Sequence, residues 1–263
     1  MEKIAIVTGG TSGIGLATVQ ALTRAGVRVY AFSRHAVDRL GLNHIICDVS
    51  DGRAVRGAVE QVLAREGRVD ILVNCAGFGI SGAFEFTDDA DARRLMDVNL
   101  FGMNYAIQAV LPAMRRQHFG RIVNVSSVAA VAPIPFQSWY SISKAAVNAL
   151  TLAVANEVRP FGIAVVAAMP GDIRTGFTAA RKKSNLGDDV YAGRIERSVG
   201  KMERDEQTGM SAEFAGRQIA RLALKRHPKP YTTLGVAYKG CAALVKFLPI
   251  RTIRWLLEKL YAN

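Results

Sequence analysis

Thr8-Gly9-Gly10-Thr11-Ser12-Gly13-Ile14-Gly15 stands between a β-branched run, Ile4–Thr8, and a helix-like stretch, Gly13–Arg24. Glycines in this position allow a tight turn, a close approach of backbone to a pyrophosphate, and close packing of helix on strand. The N-terminus of the helix offers free N–H groups and a favourable dipole to an anion. No Lys-Ser/Thr follows the last glycine, so the turn is not a P-loop, and Ser12 lacks the flanking glycines of a nucleophile elbow.

Outward from this turn, short apolar runs alternate with helical patterns. Strands are predicted at Val27–Ser33, His44–Cys47, Ile71–Asn74, Arg121–Ser126 and Ile163–Ala168. Helices are predicted at Gly52–Arg65, Ala90–Arg116, Ser138–Arg159 and Ser211–Arg226. Continuous apolar runs such as Ile71-Leu72-Val73 point to strands buried on both faces. The expected fold is α/β: one doubly wound, Rossmann-type, mostly parallel sheet flanked by helices, with a C-terminal helical extension. Residues 1–233 form the Rossmann-type domain in this reading, and 234–263 extend it. The polar, glycine-rich segment Gly171–Gly209 shows no clear strand and reads as a substrate loop.

The 263 residues suit one large domain, and 50% hydrophobic with 21% charged residues supplies a substantial core. Cys47, Cys75 and Cys241 show no metal spacing, nor do His35, His44, His118 and His227, so no metal is expected. Met1-Glu2-Lys3 leads straight into Ile4, which leaves no room for a secretory signal, and no apolar run is long enough to span a membrane. A cytoplasmic location is expected. The net charge of +12 admits nucleic acid, an anionic membrane surface or anionic ligands as partners. Nucleic acid is set aside, since the basic residues are not interleaved with aromatics and no zinc-finger or RNA-binding signature is present.

Two further stretches carry chemistry. Tyr140-Ser141-Ile142-Ser143-Lys144 on a helix places Tyr140 and Lys144 one turn apart on one face. A free tyrosine titrates too high for proton transfer near neutrality, and a neighbouring ammonium is expected to lower it. Val123-Asn124-Val125-Ser126-Ser127 is a buried strand delivering hydroxyls to the carboxyl edge of the sheet, where open α/β folds bind ligands.

Together these motifs resemble the short-chain dehydrogenases/reductases, over roughly residues 3–176. Asn74-Cys75-Ala76-Gly77 is similar to that family's Asn-Asn-Ala-Gly motif, with a cysteine in place of one asparagine. Asn99 falls where the family has a catalytic asparagine, and Ser127 lies thirteen positions before Tyr140, the family separation, which favours it over Ser126. Pro170-Gly171-Asp172-Ile173-Arg174-Thr175 resembles the family's Pro-Gly segment. The resemblance implies hydride transfer between a nicotinamide and a carbonyl carbon, with Tyr140 as the proton donor and Ser127 bonding the oxygen. Lys144 then holds the nicotinamide ribose, and Asn99 positions a water. It further implies a cofactor held by Thr8, Gly9, Thr11, Ser12, Gly13, Ile14, Gly15, Ser33, Arg34, Asp48, Val49, Asn74, Ala76, Gly77, Tyr140, Lys144, Pro170, Gly171, Ile173 and Thr175, with Asp48 at the adenine and Thr175 at the carboxamide.

An enzyme selective for NAD places an acid at the end of the second strand. Here Tyr30-Ala31-Phe32 ends at Ser33-Arg34, with no carboxylate until Asp38, and an arginine matches a 2′-phosphate, so NADP(H) is expected. Phe177, Arg181-Lys182-Lys183, Tyr191 and Met202, with the apolar stretch around Val128 and Pro135-Phe136, suit a lipophilic ketone or secondary alcohol. Pro133-Ile134-Pro135-Phe136 and Pro228-Lys229-Pro230-Tyr231 resemble the 17β-hydroxysteroid and retinol dehydrogenase branch, so steroids, retinoids and keto-lipids are the candidate substrates. The alternatives are a 3-oxoacyl ketoreductase and a non-catalytic nucleotide-binding regulator. A homodimer or homotetramer follows from the family habit of pairing the two long helices.

The tail from Leu234 to Tyr261 mixes apolar residues with Lys239, Lys246, Arg251, Arg254 and Lys259 against one acid, Glu258. Pro249 divides it into predicted helices Val236–Leu248 and Ile250–Leu260. Either Phe247, Trp255 and Leu256 enter a membrane interface, or the helices cap the substrate pocket or pack on a partner subunit.

Overall fold

A computed structural model describes residues 2–36 and 42–262; Asp38 lies outside the described residues. Seven strands form one parallel sheet: β1 (Lys3–Thr8), β2 (Val27–Ser33), β3 (Asn43–Ile46), β4 (Ile71–Asn74), β5 (Gly120–Val125), β6 (Ile163–Met169) and β7 (Tyr231–Thr233). Their spatial order is β7-β6-β5-β4-β1-β2-β3. The order reverses at β1, which pairs with β2 on one side and β4 on the other. That switch point opens a crevice at the carboxyl ends of the strands.

The helices are α1 (Gly13–Arg24), α2 (Gly52–Glu66), α3 (Asp89–Met96), α4 (Gly102–Gln117), α5 (Ser138–Val158), α6 (Arg194–Thr208), α7 (Ala212–Leu224), α8 (Val236–Phe247) and α9 (Ile250–Tyr261). Alternation along β1 assigns the two cores. Ile4 and Ile6 pack with Val55, Val59 and Val62 of α2, Ile107 and Val110 of α4, and Val147 of α5. Ala5 and Val7 face the opposite way, into a cluster with Val19 and Leu22 of α1 and Ile219 of α7. The sheet is therefore covered on both faces and its strands are apolar on both, as the sequence pattern requires.

The structure departs from the sequence reading in three places. The stretch Ala90–Arg116 is not one regular helix: a π-helical turn, Asp97–Phe101, separates α3 from α4 and carries Asn99. The segment Gly171–Gly209 is not a loop throughout, since it contains α6, a helical turn at Phe177–Ala180, and two-residue strands pairing Ile173–Arg174 with Met210–Ser211 and Lys182–Lys183 with Ile80–Ser81. Its amphipathic face, Ile195, Val199 and Met202, is buried. Finally, Tyr231–Thr233 forms β7 at the sheet edge, directly after Pro230, where a short strand tolerates the missing donor.

After β7 the chain turns at Gly235 (φ +85°) into α8, and Pro249 separates α8 from α9, as the sequence predicts. The inner face of this hairpin lies over α6, where Tyr261 Oη donates to Asp205 Oδ2 at 3.2 Å.

Candidate active site

The glycine turn is built into the switch point. Thr8 Oγ1 accepts from the backbone N–H groups of Cys75 and Ala76, both at 3.2 Å, which ties the end of β1 to the end of β4. Gly9 adopts φ +65°, and a β-carbon there would stand 3.0 Å from the Ala76 backbone. At Gly15 it would stand 2.1 Å from the Gly9 carbonyl oxygen, so any side chain would force α1 off the turn. Ser12 makes no side-chain cap to α1, leaving the first N–H groups of the helix without that partner. Thr11 lies within the turn, Gly13 and Ile14 continue the rim, and Thr175 lies against Gly13 from the other side. A cradle of uncapped N–H groups and absent β-carbons fits a pyrophosphate.

At the end of β2, Ser33 Oγ is held by His44 Nε2 (2.8 Å) and donates to the His35 carbonyl, while Arg34 is exposed. Asp48 lies in the electrostatic reach of Arg34 and Arg94. Burial pushes its carboxyl up, but two hydrogen bonds from Ser50 and these two guanidiniums outweigh it and hold the group below its ordinary value. The neighbouring Val49 is buried against the first residue of α4.

The sequence implies a cofactor contact at Asn74. The side chain of Asn74 is buried within the sheet and directed at β5: its Nδ2 donates to Asn124 Oδ1, and Asn124 Nδ2 donates to Thr151 Oγ1, each at 3.0 Å. The amide braces β4, β5 and α5 together; Cys75 and Gly77 border the crevice, and Ala76 packs against the Gly9 turn. Asn99 is also occupied. It accepts from Phe78 N, donates to Phe78 O, each at 3.0 Å, and donates to Ser143 Oγ at 3.2 Å.

The end of β5 and the first turns of α5 bring the proton-transfer candidates together. Both serines border the cavity; Ser126 Oγ donates to the Lys144 carbonyl at 3.1 Å, whereas Ser127 Oγ accepts from Ala129 N at 3.1 Å. Lys144 Nζ donates to the Val125 carbonyl at 2.9 Å and lies 5.6 Å from the centre of the Tyr140 ring. The expectation that Lys144 lowers the Tyr140 value is overturned by desolvation. Burial pushes the phenol up to about 12, against a smaller pull from the Ser127 hydrogen bond, and Glu206 raises it further. Burial likewise lowers Lys144 to about 8. At rest, Tyr140 is a protonated acid.

These groups form the polar end of a cavity of about 300 Å³. Pro170, Gly171, Ile173 and Thr175, from the chain after β6, border it. The opposite wall comes from α8 and α9: Tyr238, Leu244, Val245, Leu248, Leu256 and Leu257. The tail thus closes the pocket, and Leu256 faces the cavity, not an outer surface. Asp172, Glu206, Tyr238 and Tyr261 also line it and went unread in the sequence. For Glu206 a signal existed, its helical spacing from Ile195, Val199 and Met202; for Asp172 and Tyr238 none did, because their proximity depends on the fold-back of the tail.

Comparison with known proteins agrees with this geometry. The short chain dehydrogenase family model matches residues 3–186. A 3-ketodihydrosphingosine reductase from Bacteroides thetaiotaomicron is 37% identical over 99% of this chain and 98% of its own. A human 3-oxoacyl-[acyl-carrier-protein] reductase is 32% identical over 76% of this chain and 87% of its own. The crystal structure of a short-chain dehydrogenase from Streptomyces avermitilis superposes with a TM-score of 0.84 at 31% identity, covering 98% of this chain and 96% of that one. The chain belongs to the short-chain dehydrogenase family of nicotinamide-dependent oxidoreductases.

Proposed function

We propose that the chain reduces a long-chain lipid ketone to the secondary alcohol with NADPH. The observation that carries this reading is the cavity itself, with a protonated phenol and a serine hydroxyl at one end and an aliphatic wall from the tail at the other. The nicotinamide, when bound, supplies the hydride. Tyr140 Oη gives its proton to the substrate oxygen, and Ser127 Oγ hydrogen-bonds that oxygen as charge develops on it. Lys144 orients the cofactor ribose. Asn99 clamps the backbone at Phe78, so a water held by this residue would use its main-chain oxygen, since both side-chain polar atoms are engaged.

Arg34, exposed at the end of β2 with Asp48 turned toward Ser50, supports the phosphorylated cofactor. The relative named 3-ketodihydrosphingosine reductase, which matches nearly the whole chain including the tail, favours a keto-lipid over a steroid or retinoid. NADPH consumption with matched long-chain, steroid and retinoid carbonyls tests the reading. Consumption is expected with the long-chain ketone; turnover confined to the steroid or retinoid would overturn it.

The tail has a second face. Val236, Phe247, Ile250 and Trp255 are exposed, among the exposed bases Lys239, Lys246, Arg251 and Arg254. Among the described residues no helix is long and apolar enough to cross a membrane. This outer face is read as a dock for an anionic lipid surface, from which a lipophilic substrate reaches the cavity beneath. Residues 234–263 are on this view an extension of the catalytic unit.

A further inference from the structure

The cavity above Tyr140 holds a carboxylate with no ion-pair partner among the described residues. Two carboxylates line it, Asp172 and Glu206. Glu206 is paired with the buried guanidinium of Arg181 and accepts from Thr178 Oγ1. Nearby Asp205 is paired with Lys201 at 2.9 Å. Asp172 has no ion pair among the described residues, and its side chain accepts a single hydrogen bond there, from Tyr238 Oη to Oδ2 at 2.6 Å. Of three carboxylates and two cations in this corner, Asp172 is the one left over.

A carboxylate withdrawn from water is stable when a counter-charge is held against it. Burial accordingly pushes the Asp172 carboxyl above its ordinary value and Asp205 and Glu206 add to it; the Tyr238 hydrogen bond and, more weakly, the Lys201 ammonium, already paired with Asp205, oppose it. Asp172 belongs to no described cluster able to hold a metal ion. A neutral hydroxyl would satisfy the second oxygen and leave the charge in place, whereas a protonated amine meets both needs. The position of the charge is informative too, because Asp172 directly follows Gly171 beyond β6 and is felt at the Tyr140 phenol.

We propose that Asp172, oriented by Tyr238, binds a protonated amine carried close to the carbonyl of the long-chain ketone. The ketone rests on the reductase reading above; the amine rests on the cavity alone. The test is therefore binding without turnover. The full chain, saturated with NADP+, is titrated calorimetrically at neutral pH with a medium-chain primary amine and with the alcohol of equal length. The amine is expected to bind at least about tenfold more tightly, Asp172→Asn to bring the two within about twofold, and Tyr238→Phe to give an intermediate ratio. Equal affinities in the parent would overturn the proposal. So would a ratio that survives Asp172→Asn, which would leave Asp172 as only an anchor for the tail. An Asp172-dependent ratio without NADPH consumption on any long-chain ketone sinks the reductase reading and leaves this one standing. Ketone reduction with equal binding of amine and alcohol does the reverse.

Discussion

Tyr238 occupies the space that a side chain on Gly171 would need: a β-carbon there would stand 2.2 Å from the Tyr238 ring. The ring is fixed at the other end by its hydroxyl, which donates to Asp172 at 2.6 Å. The tail is thus seated against the backbone that follows β6. Gly171→Ala is expected to unseat α8, costing about 1–3 kcal/mol as an overpacked contact does, with a lower Tm and a raised KM for the lipid substrate. An unchanged KM would show that the tail does not govern entry.

The acid role of Tyr140 separates cleanly from its packing. Tyr140→Phe keeps the ring that meets Phe177 edge-on at 5.7 Å and removes only the transferable proton. Turnover is expected to fall by more than about a hundredfold, with NADPH binding retained by fluorescence titration. Ser127→Ala should be severely impaired and Ser126→Ala much less so, because Ser126 is spent on the Lys144 carbonyl. The opposite order would exchange the two serines.

Cofactor choice turns on one exposed side chain. The parent is expected to bind NADPH more tightly than NADH, and Arg34→Asp to shrink that preference by at least about tenfold, since a carboxylate repels the phosphate that a guanidinium grips. Equal dissociation constants for the two cofactors in the parent would assign the selectivity elsewhere.

Lys144 links stability to pH. Burial sets its folded value at about 8, below its ordinary value of 10.5. Below the folded value the buried ammonium is a full penalty. Between the two values the unfolded chain binds the proton and the folded chain does not, so stability rises with pH. Denaturant midpoints of the cofactor-free protein and of Lys144→Met are expected to show the parent gaining on the variant from pH 8 to 10. A gap that stays constant would mean that the lysine remains charged throughout.

Membrane docking has its own readout. The full chain is expected to sediment with anionic vesicles at low salt, to release as salt rises, and to lose binding when Phe247 and Trp255 are both replaced by glutamate. Sedimentation with neutral vesicles only, or none at any charge, removes the lipid surface as the partner of that face.

Much of this was readable before any coordinates. The β-branched runs and the glycine turn have local causes, so β1, α1, β2 and the Tyr140–Lys144 face lie where the sequence predicts them. Spacing favours Ser127 over Ser126, and in the fold the Ser126 hydroxyl is engaged by the Lys144 carbonyl. What escaped was non-local. The side-chain partner of Asn74 is Asn124 on the neighbouring strand, which no local pattern announces. The shift of Tyr140 depends on how much of its surroundings is protein, which a helix face alone does not reveal. In α6 the charged residues dilute the apolar stripe, and the segment looks like a loop.

The wall around the substrate comes from two parts of the chain with different obligations. Strand ends and α5 hold Ser127, Tyr140 and Lys144 in a frame braced by Asn74, Asn124 and Thr151, where few changes are harmless. The aliphatic wall hangs beyond a single left-handed turn at Gly235 and packs back as a separate hairpin. Such a hairpin can be exchanged like a cassette. Its inward leucines can drift in size and shape over generations, resetting which carbon skeleton is admitted, while the hydride chemistry beneath is inherited untouched.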